Sequence, residues 1–581
     1  MPDDVMSGDG HDDLRTHLLR RRADLGLDRL QFEKHWYKIQ RFVRPFIGAQ
    51  LGDKSASEET DGRLDRMADI FDSTPDQSAD IMAAGFLGGV ASPSRPWFKL
   101  ASVDPEDNED RDVQVWNQIV EDRMRGVFAR SNTYASLHQV FDELGTGTAC
   151  MGVWFDFDDV IRCRTYTVGE YYLGANSKYE IDTVYRDLYM TTKQLVEEFG
   201  LENVGESAKN TYKNGGLEQK WHVIHAVEPN LEHFTYPKSS DFPFRSVYLL
   251  HSQSTGTRNG TDMKNHGHGR QPILRMRGLR SFPYLVPRGR LTGGQIYGIG
   301  PYVKVLPDSC ELHRWVETMN DTAEKQVDPP IQLMCGPSEH EVNSFPGGVT
   351  YTMGEPSAPL YQVQADQSLA MTRIQDLRMA VQKGLMTDLF LMLSSQDMPK
   401  NVTATAIAEM HAEKLQRLGP VLESVHKDLL TPLIERTFEL MMQAGMIPEP
   451  PERLAGKELQ VQYVSILAQA QQLAGLANIE QFIQFLGPVA SFRPDVLDKV
   501  DADEIIDEYA RRLGVPAKAI IADEDVFRIR AARAQQQQQQ QQMAAAQQAT
   551  DMAKTMSDTN VTGGSALNML LGSNPPATNP Q

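Results

Sequence analysis

The sequence contains few cysteines. They lie at Cys150, Cys163, Cys310 and Cys335, and no two of them form a CxxC pair. This spacing excludes a zinc ribbon and gives no basis for a disulfide framework. We therefore expect a reducing compartment.

Long apolar runs are also absent. The longest nearly apolar run, Ile81–Ala91, has 11 residues, three of them glycines, whereas a helix that crosses a bilayer needs about 20. The acidic start, Met1–Asp4, lacks the basic and apolar regions of a secretory signal. These absences predict a soluble intracellular protein without a membrane segment.

The chain has fewer basic residues than acidic ones. The chain has 58 Lys+Arg against 78 Asp+Glu, a formal net charge of −20. This balance argues against a protein that wraps tightly along phosphates over its whole surface. It remains compatible with a protein past which nucleic acid must slide without sticking. The apolar content of 40% is ordinary for a globular chain, and the length allows about three to five domains.

The motifs of common enzyme classes are missing as well. No GxxxxGK[ST], HExxH or GxSxG pattern occurs. The glycines between Gly293 and Gly300 are followed by Pro301 rather than by a phosphate-binding lysine, so we interpret them as a turn into a helix. His340–Glu341 lacks the second histidine of a zinc motif. We therefore predict a protein that is not an enzyme and has no cofactor.

Three stretches have some features of metal sites. The Asp104–Asp112 run lacks the central glycine and the final glutamate of a calcium loop, which favours a linker with a helix cap. The acidic cluster Asp156–Asp159 has no distant partner and is interpreted as a solvated strand end. His266 and His268 lie in a Gly/Asn-rich loop and are interpreted as surface residues. We predict no bound metal.

The first half of the chain combines helical and strand patterns. Apolar spacing predicts helices at 12–44, from Thr74 to about Val90, and at 112–144. A two-residue alternation then begins, interrupted by a short helix at Thr192–Glu198. The predicted strands are 151–157, 160–168, 170–173, 183–189, 221–227 and 246–250.

The second half is mainly helical. A helix is predicted at Asp308–Asp328, ended by two prolines, and at 1.5 Å per residue it would be roughly 30 Å long. A small β-leaning insert at 331–363 separates it from a second helix, Gln367–Leu393, and a loop leads to a third helix from Thr403. Further helices are predicted at Leu459–Phe485 and Asp501–Leu513. The fold class is therefore α+β, mainly helical.

The end of the chain has a biased composition. Gln535–Gln542 is a run of eight glutamines followed by alanines. Glutamine and alanine favour helix, but with few apolar anchors this segment is either disordered or a helix stabilised by neighbours. The Gly-, Ser-, Asn- and Pro-rich tail 561–581 is predicted to be disordered.

One stretch is strongly basic. Six arginines fall within 21 residues that contain no acidic residue: Arg270, Arg275, Arg277, Arg280, Arg288 and Arg290. The stretch is either a patch that faces nucleic acid or a partner, or a solvated face whose arginines pair with acids elsewhere in an acidic protein.

Several stretches, taken in order and spacing, carry a family resemblance. They are Arg15–Pro45, Phe71–Pro75, Ala83–Pro93, Pro96–Phe98, Phe282–Tyr284, Tyr297–Pro301, Leu306–Asp308, Asn401–Thr405, Leu418–Leu422, Pro448–Leu454 and Tyr463–Gln471. No single stretch is diagnostic. Together they resemble the head-to-tail connector, or portal, proteins of short-tailed bacteriophages, over about residues 12–535.

The resemblance implies a ring, usually of twelve subunits, at one capsid vertex, through which double-stranded DNA passes during packaging and ejection. A contact whose rotation closes would generate such a ring. The implied segments are a disordered N-terminus (1–11), wing (12–300), stem helix 1 (301–328), clip (329–363), stem helix 2 (364–393), tunnel loop (394–402), return helix and wing/crown base (403–494), crown (495–534), Gln/Ala-rich barrel helix (535–560) and disordered tail (561–581).

The resemblance also implies partners. The clip would dock the terminase motor and later the tail adaptor proteins, and the wing would meet the major capsid and scaffolding proteins. Candidate DNA contacts in the lumen are Lys400, Arg373, Arg378 and Lys383, for which solvation or pairing between subunits is the alternative. Two other functions stay open: a tail adaptor or other phage ring protein, and a packaging nuclease or ATPase, against which the missing motifs count.

Overall fold

The structure is a computed structural model, and it shows an α+β chain. It describes residues 8–45, 47, 70–108, 110–230, 242–253, 273–334, 343–352, 358–359, 367–394, 422–454, 459–463, 488, 505–506, 523–558, 560–561 and 564–565. Two compact units are present. The first combines residues 1–103, 116–450 and 455–471, and the second combines 104–115, 451–454 and 472–581.

The first unit opens with a long helix, α1 (Gly8–Phe42). Leu18, Leu25 and Trp36 are buried on one face of α1 at helical spacing, and Leu18 and Leu25 pack on a β-sheet. Pro45 follows the last turn, as expected for a residue that lacks a backbone donor. The predicted helix 12–44 is confirmed, but α1 begins at Gly8, so the predicted disordered N-terminus is helical from residue 8. Residues 1–7 lie outside the described residues.

Three further helices follow: α2 (Thr74–Val90), α3 (Arg111–Arg130) and α4 (Thr133–Leu144). The predicted helix 112–144 is thus two helices with a break at Ser131–Asn132. The Asn132 side chain donates to the carbonyl oxygen of Cys163 at 2.7 Å and accepts from the Cys163 amide at 2.9 Å. This pair of bonds fixes the start of α4 to a strand of the neighbouring sheet.

The predicted strands form two antiparallel sheets. The larger has the order β4-β5-β6-β7-β8 and the smaller the order β3-β2-β9. Their bounds are β2 (Cys150–Asp156), β3 (Val160–Tyr166), β4 (Tyr171–Ala175), β5 (Ile181–Thr191), β6 (Lys220–Pro229), β7 (Phe244–Gln253), β8 (Ile273–Leu279) and β9 (Tyr284–Leu285).

The larger sheet is covered on both faces. Ile224 and Ala226 of β6 pack towards α1, whereas the neighbouring Trp221 and Val223 pack with α5 (Thr192–Phe199) and α6 (Glu206–Lys213). Successive side chains of a strand point to opposite faces, which explains this division. The predicted helix at Thr192–Glu198 is confirmed, and α6 and β8 were not predicted.

The second half of the first unit begins with α7 (Pro301–Val327), which confirms and extends the predicted helix at 308–328. A small mixed sheet follows, with the order β11-β10-β12; its strands are β10 (Ile331–Met334), β11 (Val349–Thr352) and β12 (Ala358–Pro359). The predicted helix 367–393 is divided into α8 (Gln367–Gly384) and α9 (Thr387–Ser394). Met386 interrupts it with a left-handed φ of 57°, a conformation that does not continue a right-handed helix.

Two helices predicted in the later part of the chain differ from the structure or are described only in part. A helix predicted from Thr403 is described from residue 422, with a π-helical turn at His426–Leu430 followed by α10 (Thr431–Gln443); residues 403–421 lie outside the description. The helix predicted at Leu459–Phe485 is wrong at its start, because Leu459–Tyr463 is a strand, β13, paired with β1 (Phe98–Ser102). Residues 464–485 are not described.

The second unit contains the longest helix of the described chain, α11 (Asp523–Asp558). The eight glutamines, Gln535–Gln542, are helical and exposed within it, so the helical alternative is confirmed over disorder. Two short strands, β14 (Asn560–Val561) and β15 (Gly564–Ser565), pair after it. The rest of the predicted tail lies outside the described residues, as does Asp501–Leu513 except for 505–506.

Within the described parts of the chain, no helix has the length and apolar character that crossing a membrane requires.

Candidate functional surfaces

The helices α7 and α8 form an antiparallel pair, which we call the two-helix arm. Pro301 starts α7 at a position where a missing backbone donor costs nothing, and Pro329-Pro330 follows its end. Leu312 of α7 is buried with Ile374 and Leu377 of α8. The helices are antiparallel, since Glu311 of α7 pairs with Arg373 near the start of α8 and Val305 approaches Gly384 at its end.

The two-helix arm exposes apolar side chains on its outer surface. Leu369, Met371 and Met379 of α8 and Val327 of α7 are exposed, and Trp315 is partly exposed. Single exposed apolar residues are normal on a protein surface, whereas a contiguous apolar patch marks a contact surface. The small mixed sheet β11-β10-β12 lies between the two helices in sequence.

Arg373 and Arg378, two of the candidate DNA contacts, are ion-paired within the chain. Arg373 Nη2 lies 2.8 Å from Glu311 Oε1, in an exposed pair. Arg378 Nη2 lies 2.8 Å from Oδ2 of Asp72, whose side chain is buried. Burial opposes ionisation of Asp72, but the hydrogen bonds from Thr74 and the guanidinium of Arg378 outweigh it and hold the pKa of Asp72 below its usual value.

The other two candidates differ from these. Lys383 is exposed in the last turn of α8 and has no ion-pair partner among the residues that the structure describes. Lys400 lies outside the described residues. The structure therefore brings Arg373 and Arg378 to one helix with Lys383, but each of the two arginines already has an acidic partner.

The arginines of the basic stretch are separated by the fold. Arg275 pairs with Glu198 at 2.6 Å and lies over the rings of Phe199 and Tyr248. Arg288 is buried, and its Nη2 donates to the Tyr179 carbonyl oxygen at 2.6 Å. Arg288 is thus part of the fold rather than of an exposed patch. The exposed members are Arg277, Arg280 and Arg290, and Arg270 lies outside the described residues.

The stretches with features of metal sites have structural explanations where they are described. Asp156 Oδ1 accepts from the amides of Asp158 and Asp159, at 2.8 and 3.4 Å, and so closes the β2–β3 turn. Asp110 Oδ1 accepts from the Asp112 amide at 2.9 Å at the start of α3, as the predicted helix cap requires. His266, His268 and His340–Glu341 lie outside the described residues.

Five glycines join the base of α7 to the α/β part, and we call this contact the glycine joint. The Gly289 amide donates to the Gly147 carbonyl at 2.8 Å, and the Tyr302 amide donates to the Gly145 carbonyl at 2.9 Å. A Cβ on Gly298 would lie 2.5 Å from the Gly147 oxygen, and one on Gly300 would lie 2.2 Å from the Gly145 oxygen. The predicted turn into a helix is thus also a close crossing of two backbone segments.

Two polar residues, His313 and Arg44, connect the first part of α7 to other elements, and the sequence predicts neither role. His313 of α7 accepts the Phe71 amide on Nδ1 at 3.2 Å, and its Nε2 lies 2.9 Å from the Phe42 carbonyl oxygen. Because a carbonyl only accepts, Nε2 carries the proton in this arrangement. Arg44 binds three aspartates from α2 and α4. No local pattern marks these residues, because their partners are distant in sequence.

Comparisons with known proteins match this sequence over nearly its whole length. The sequence model of the family described as bacteriophage head to tail connecting protein matches residues 15–521. A portal protein of Salmonella phage epsilon15 is 34% identical over 560 residues, covering 95% of this chain and 97% of the relative. A probable portal protein of Bordetella phage BPP-1 is 35% identical over 562 residues, with the same coverage. The chain therefore belongs to the family of bacteriophage head to tail connecting proteins, the portal proteins.

Proposed function

We propose that this chain forms a twelve-membered portal ring at one capsid vertex and that double-stranded DNA passes through the ring during packaging and ejection. The observation that carries the proposal is the family match over residues 15–521, together with two portal relatives matched over almost their full length. The exposed apolar side chains of the two-helix arm support ring assembly, because a neighbouring copy would cover them.

The proposed segments follow the described elements. The α/β part up to residue 300 would be the wing, the two-helix arm the stem, and residues 329–363 with the small mixed sheet the clip. The clip would dock the terminase and then the tail adaptor proteins, and the wing would meet capsid and scaffolding proteins. Pro329-Pro330 separates the end of α7 from the first strand of the small sheet, and this boundary supports the division into stem and clip.

The lumen is proposed to be weakly adhesive to DNA. A formal net charge of −20 repels phosphates over much of the surface, and a few lysines would give transient contacts. Lys383 and Lys400 are the preferred contacts, since Arg373 and Arg378 would first have to leave Glu311 and Asp72. We therefore rank the lysines above the arginines as DNA contacts.

Ring formation is tested by light scattering of the purified full chain, with negative-stain images of the same peak. We expect a particle of twelve 65.2-kDa chains with a central hole. Leu369→Lys with Met371→Lys should lower the ring fraction, whereas Lys213→Gln, a change at an exposed residue in the last turn of α6, should not. A chain that stays monomeric even with scaffold and capsid proteins, or one that hydrolyses ATP, would contradict the proposal.

The DNA contact is tested separately in assembled particles. We expect Lys383→Gln and Lys400→Gln together to change the packaged DNA length or its retention while the rings stay intact. Lys213→Gln again serves as the matched charge control, since Lys213 is exposed in the last turn of its helix, as Lys383 is. Unchanged genome content in the double variant would remove these lysines from the list of DNA contacts but would leave the ring itself untouched.

A further inference from the structure

The turn between β2 and β3 carries an unusually exposed aromatic pair. Phe157 is 94% exposed, and Phe155 lies beside it with a ring-centroid distance of 5.2 Å and an edge-on arrangement. Phe155 is 41% exposed, and leaving the Phe157 ring in water forgoes the stabilisation of burying it. We call residues 155–159 the aromatic tip.

The aromatic tip is held rigidly. Asp156 Oδ1 accepts two backbone amides of the turn, those of Asp158 and Asp159. Val160, which closes the turn, has a φ of 72°, an outlier for a β-branched residue. Backbone strain of this kind persists only where the surroundings enforce it, and it is concentrated at functional sites. The tip is thus a preformed apolar projection whose turn also carries the exposed Asp158 and the half-buried Asp156 and Asp159.

A surface of complementary chemistry lies elsewhere on the same chain. Tyr179, at the β4–β5 turn, is 56% exposed and also has a left-handed φ, of 61°. The carbonyl of Tyr179 accepts from buried Arg288, and its hydroxyl lies near Gly294, which brings this turn beside the 290–295 loop. That loop exposes Leu291 and Arg290. We call Tyr179, Leu291, Arg290 and the neighbouring exposed Lys178 the receptor surface.

The charges of the two surfaces are complementary. The aromatic tip includes three aspartates in its turn, Asp156, Asp158 and Asp159, whereas the receptor surface has two cations and an exposed Glu180 whose carboxylate accepts from Asn176. A projection that docks on a different surface of an identical chain gives a head-to-tail contact, and such a contact generates a ring when the rotation between copies closes. Opposite charges at the rim also fix the register of a contact.

We infer that the aromatic tip of one copy docks on the receptor surface of a second copy, with Phe157 against Tyr179 and Leu291 and the aspartates facing Lys178 and Arg290. The inference rests on the proposed ring and names one contact that holds it together. It adds a contact between α/β parts to the one expected at the two-helix arm.

The test is a photo-crosslink in the ring fraction of the full chain. Phe157 is replaced by p-benzoylphenylalanine, and light copies are mixed with ¹⁵N-labelled copies before assembly, so that mass spectrometry separates links within one chain from links between chains. We expect links between chains from residue 157 to the segments 176–180 or 290–295. A crosslinker at Tyr212, exposed on α6, is the matched control and should give no link to these segments.

Charge reversal gives an independent readout. Asp158→Arg alone and Arg290→Asp alone should each speed subunit exchange about tenfold, since each opposes like charges across the contact, and the double variant should restore the slow rate. Rings of normal mass without the expected links, or without rescue in the double variant, would overturn this contact and leave the proposed function standing. A chain that forms no ring at all would overturn both.

Discussion

Arg44 shows how one side chain organises its surroundings. Its guanidinium lies 2.6 Å from Asp76, 2.5 Å from Asp80 and 2.9 Å from Asp142. Asp142 also accepts from the Tyr302 hydroxyl at 2.7 Å. Burial opposes the charge of Arg44, but the hydrogen bonds and charges of the aspartates outweigh it and raise its pKa. One cation thus ties the end of α1 to α2, α4 and the start of α7.

Replacing Arg44 should be strongly destabilising. Arg44→Met would leave three aspartates close together without their cation, and removing one partner of a buried ion pair typically costs about 3–5 kcal/mol. We expect a fall of that order in the free energy of unfolding, measured by urea denaturation. The exposed Arg20 of α1 gives the control, because Arg20→Met should change stability by less than about 0.5 kcal/mol. Equal effects of the two changes would refute the role of Arg44.

Glu143 is a buried carboxyl group at the end of α4. Burial raises its pKa to about 8, although hydrogen bonds from Thr167 and the Val168 amide favour the charged form. The unfolded value is near 4.5. Because the folded pKa is the higher one, the contribution of this group to stability is fully present below about pH 4.5 and is lost as the pH rises towards 8.

The variant Glu143→Gln should remove this pH dependence. The amide keeps an acceptor for the Val168 amide and cannot ionise. We expect the variant to gain stability over the natural chain between pH 5 and 8, by up to about 1.4 kcal/mol per pH unit. Unfolding midpoints in urea at pH 5 and pH 8 give the measurement. A difference between the two proteins that does not change with pH would contradict the assignment.

At the scale of elements, the glycine joint decides how α7 leaves the α/β part. Gly147 has a φ of 117°, and the backbone of Gly298 passes so close that neither residue has space for a side chain. Glycine is the residue that tolerates both conditions. The joint therefore fixes two segments about 150 residues apart through main-chain contacts.

Gly298→Ala should be destabilising, by about 3 kcal/mol, because its Cβ would force the Gly147 carbonyl away. Gly126→Ala in α3 is the matched control, since a Cβ there meets no atom within 4 Å. In a helix interior that change should stabilise the chain by about 0.5–1 kcal/mol. The thermal unfolding midpoints of both variants test the two expectations. A stabilised Gly298→Ala would show that the Gly298 and Gly147 backbones leave space for a side chain.

Local patterns predicted most elements, and distant pairing explains the misses. The helices around α1, α2, α7 and the larger strands follow from apolar periodicity alone. The strands β1 and β13 were missed because each is five residues long and is defined by its partner, through pairs such as Phe98 with Tyr463. In β8, Arg275 and Arg277 obscure the alternation of apolar and polar side chains, so the sequence predicts a basic stretch there and no strand.

The candidate site was less predictable than the fold. Nothing in the sequence near Arg373 or Arg378 indicates that Glu311 and Asp72 neutralise them, because those acids are 62 and 306 residues away. The burial of Arg288 is unpredictable for the same reason, because the Tyr179 carbonyl that accepts from it lies in the β4–β5 turn, 109 residues away.

At the scale of the whole molecule, α11 is a helix with little to pack on. All of its described side chains except the half-buried Val526 are exposed, among them Phe527, Met543 and Met552. An isolated helix of glutamine and alanine is only marginally stable in water. We therefore expect α11 to gain most of its stability from other copies in the proposed ring.

Hydrogen exchange tests this expectation. In monomers the amides of 523–558 should exchange rapidly, and in rings they should be protected about 100-fold more. The amides of β6, buried in the sheet of each copy, serve as the internal reference and should be protected in both. Equal protection of 523–558 in monomers and rings would contradict stabilisation by neighbouring copies.

The glycine joint also has a mechanical consequence. The hydrogen bonds from Gly289 to Gly147, from Tyr302 to Gly145, and from Ala149 to Pro287 connect the same two backbone segments. Separating these two segments requires all of these main-chain bonds to break, so the attachment of α7 does not depend on any single one. The joint is therefore a stiff attachment: a force applied to the long helix is transmitted to the α/β part through several main-chain hydrogen bonds at once.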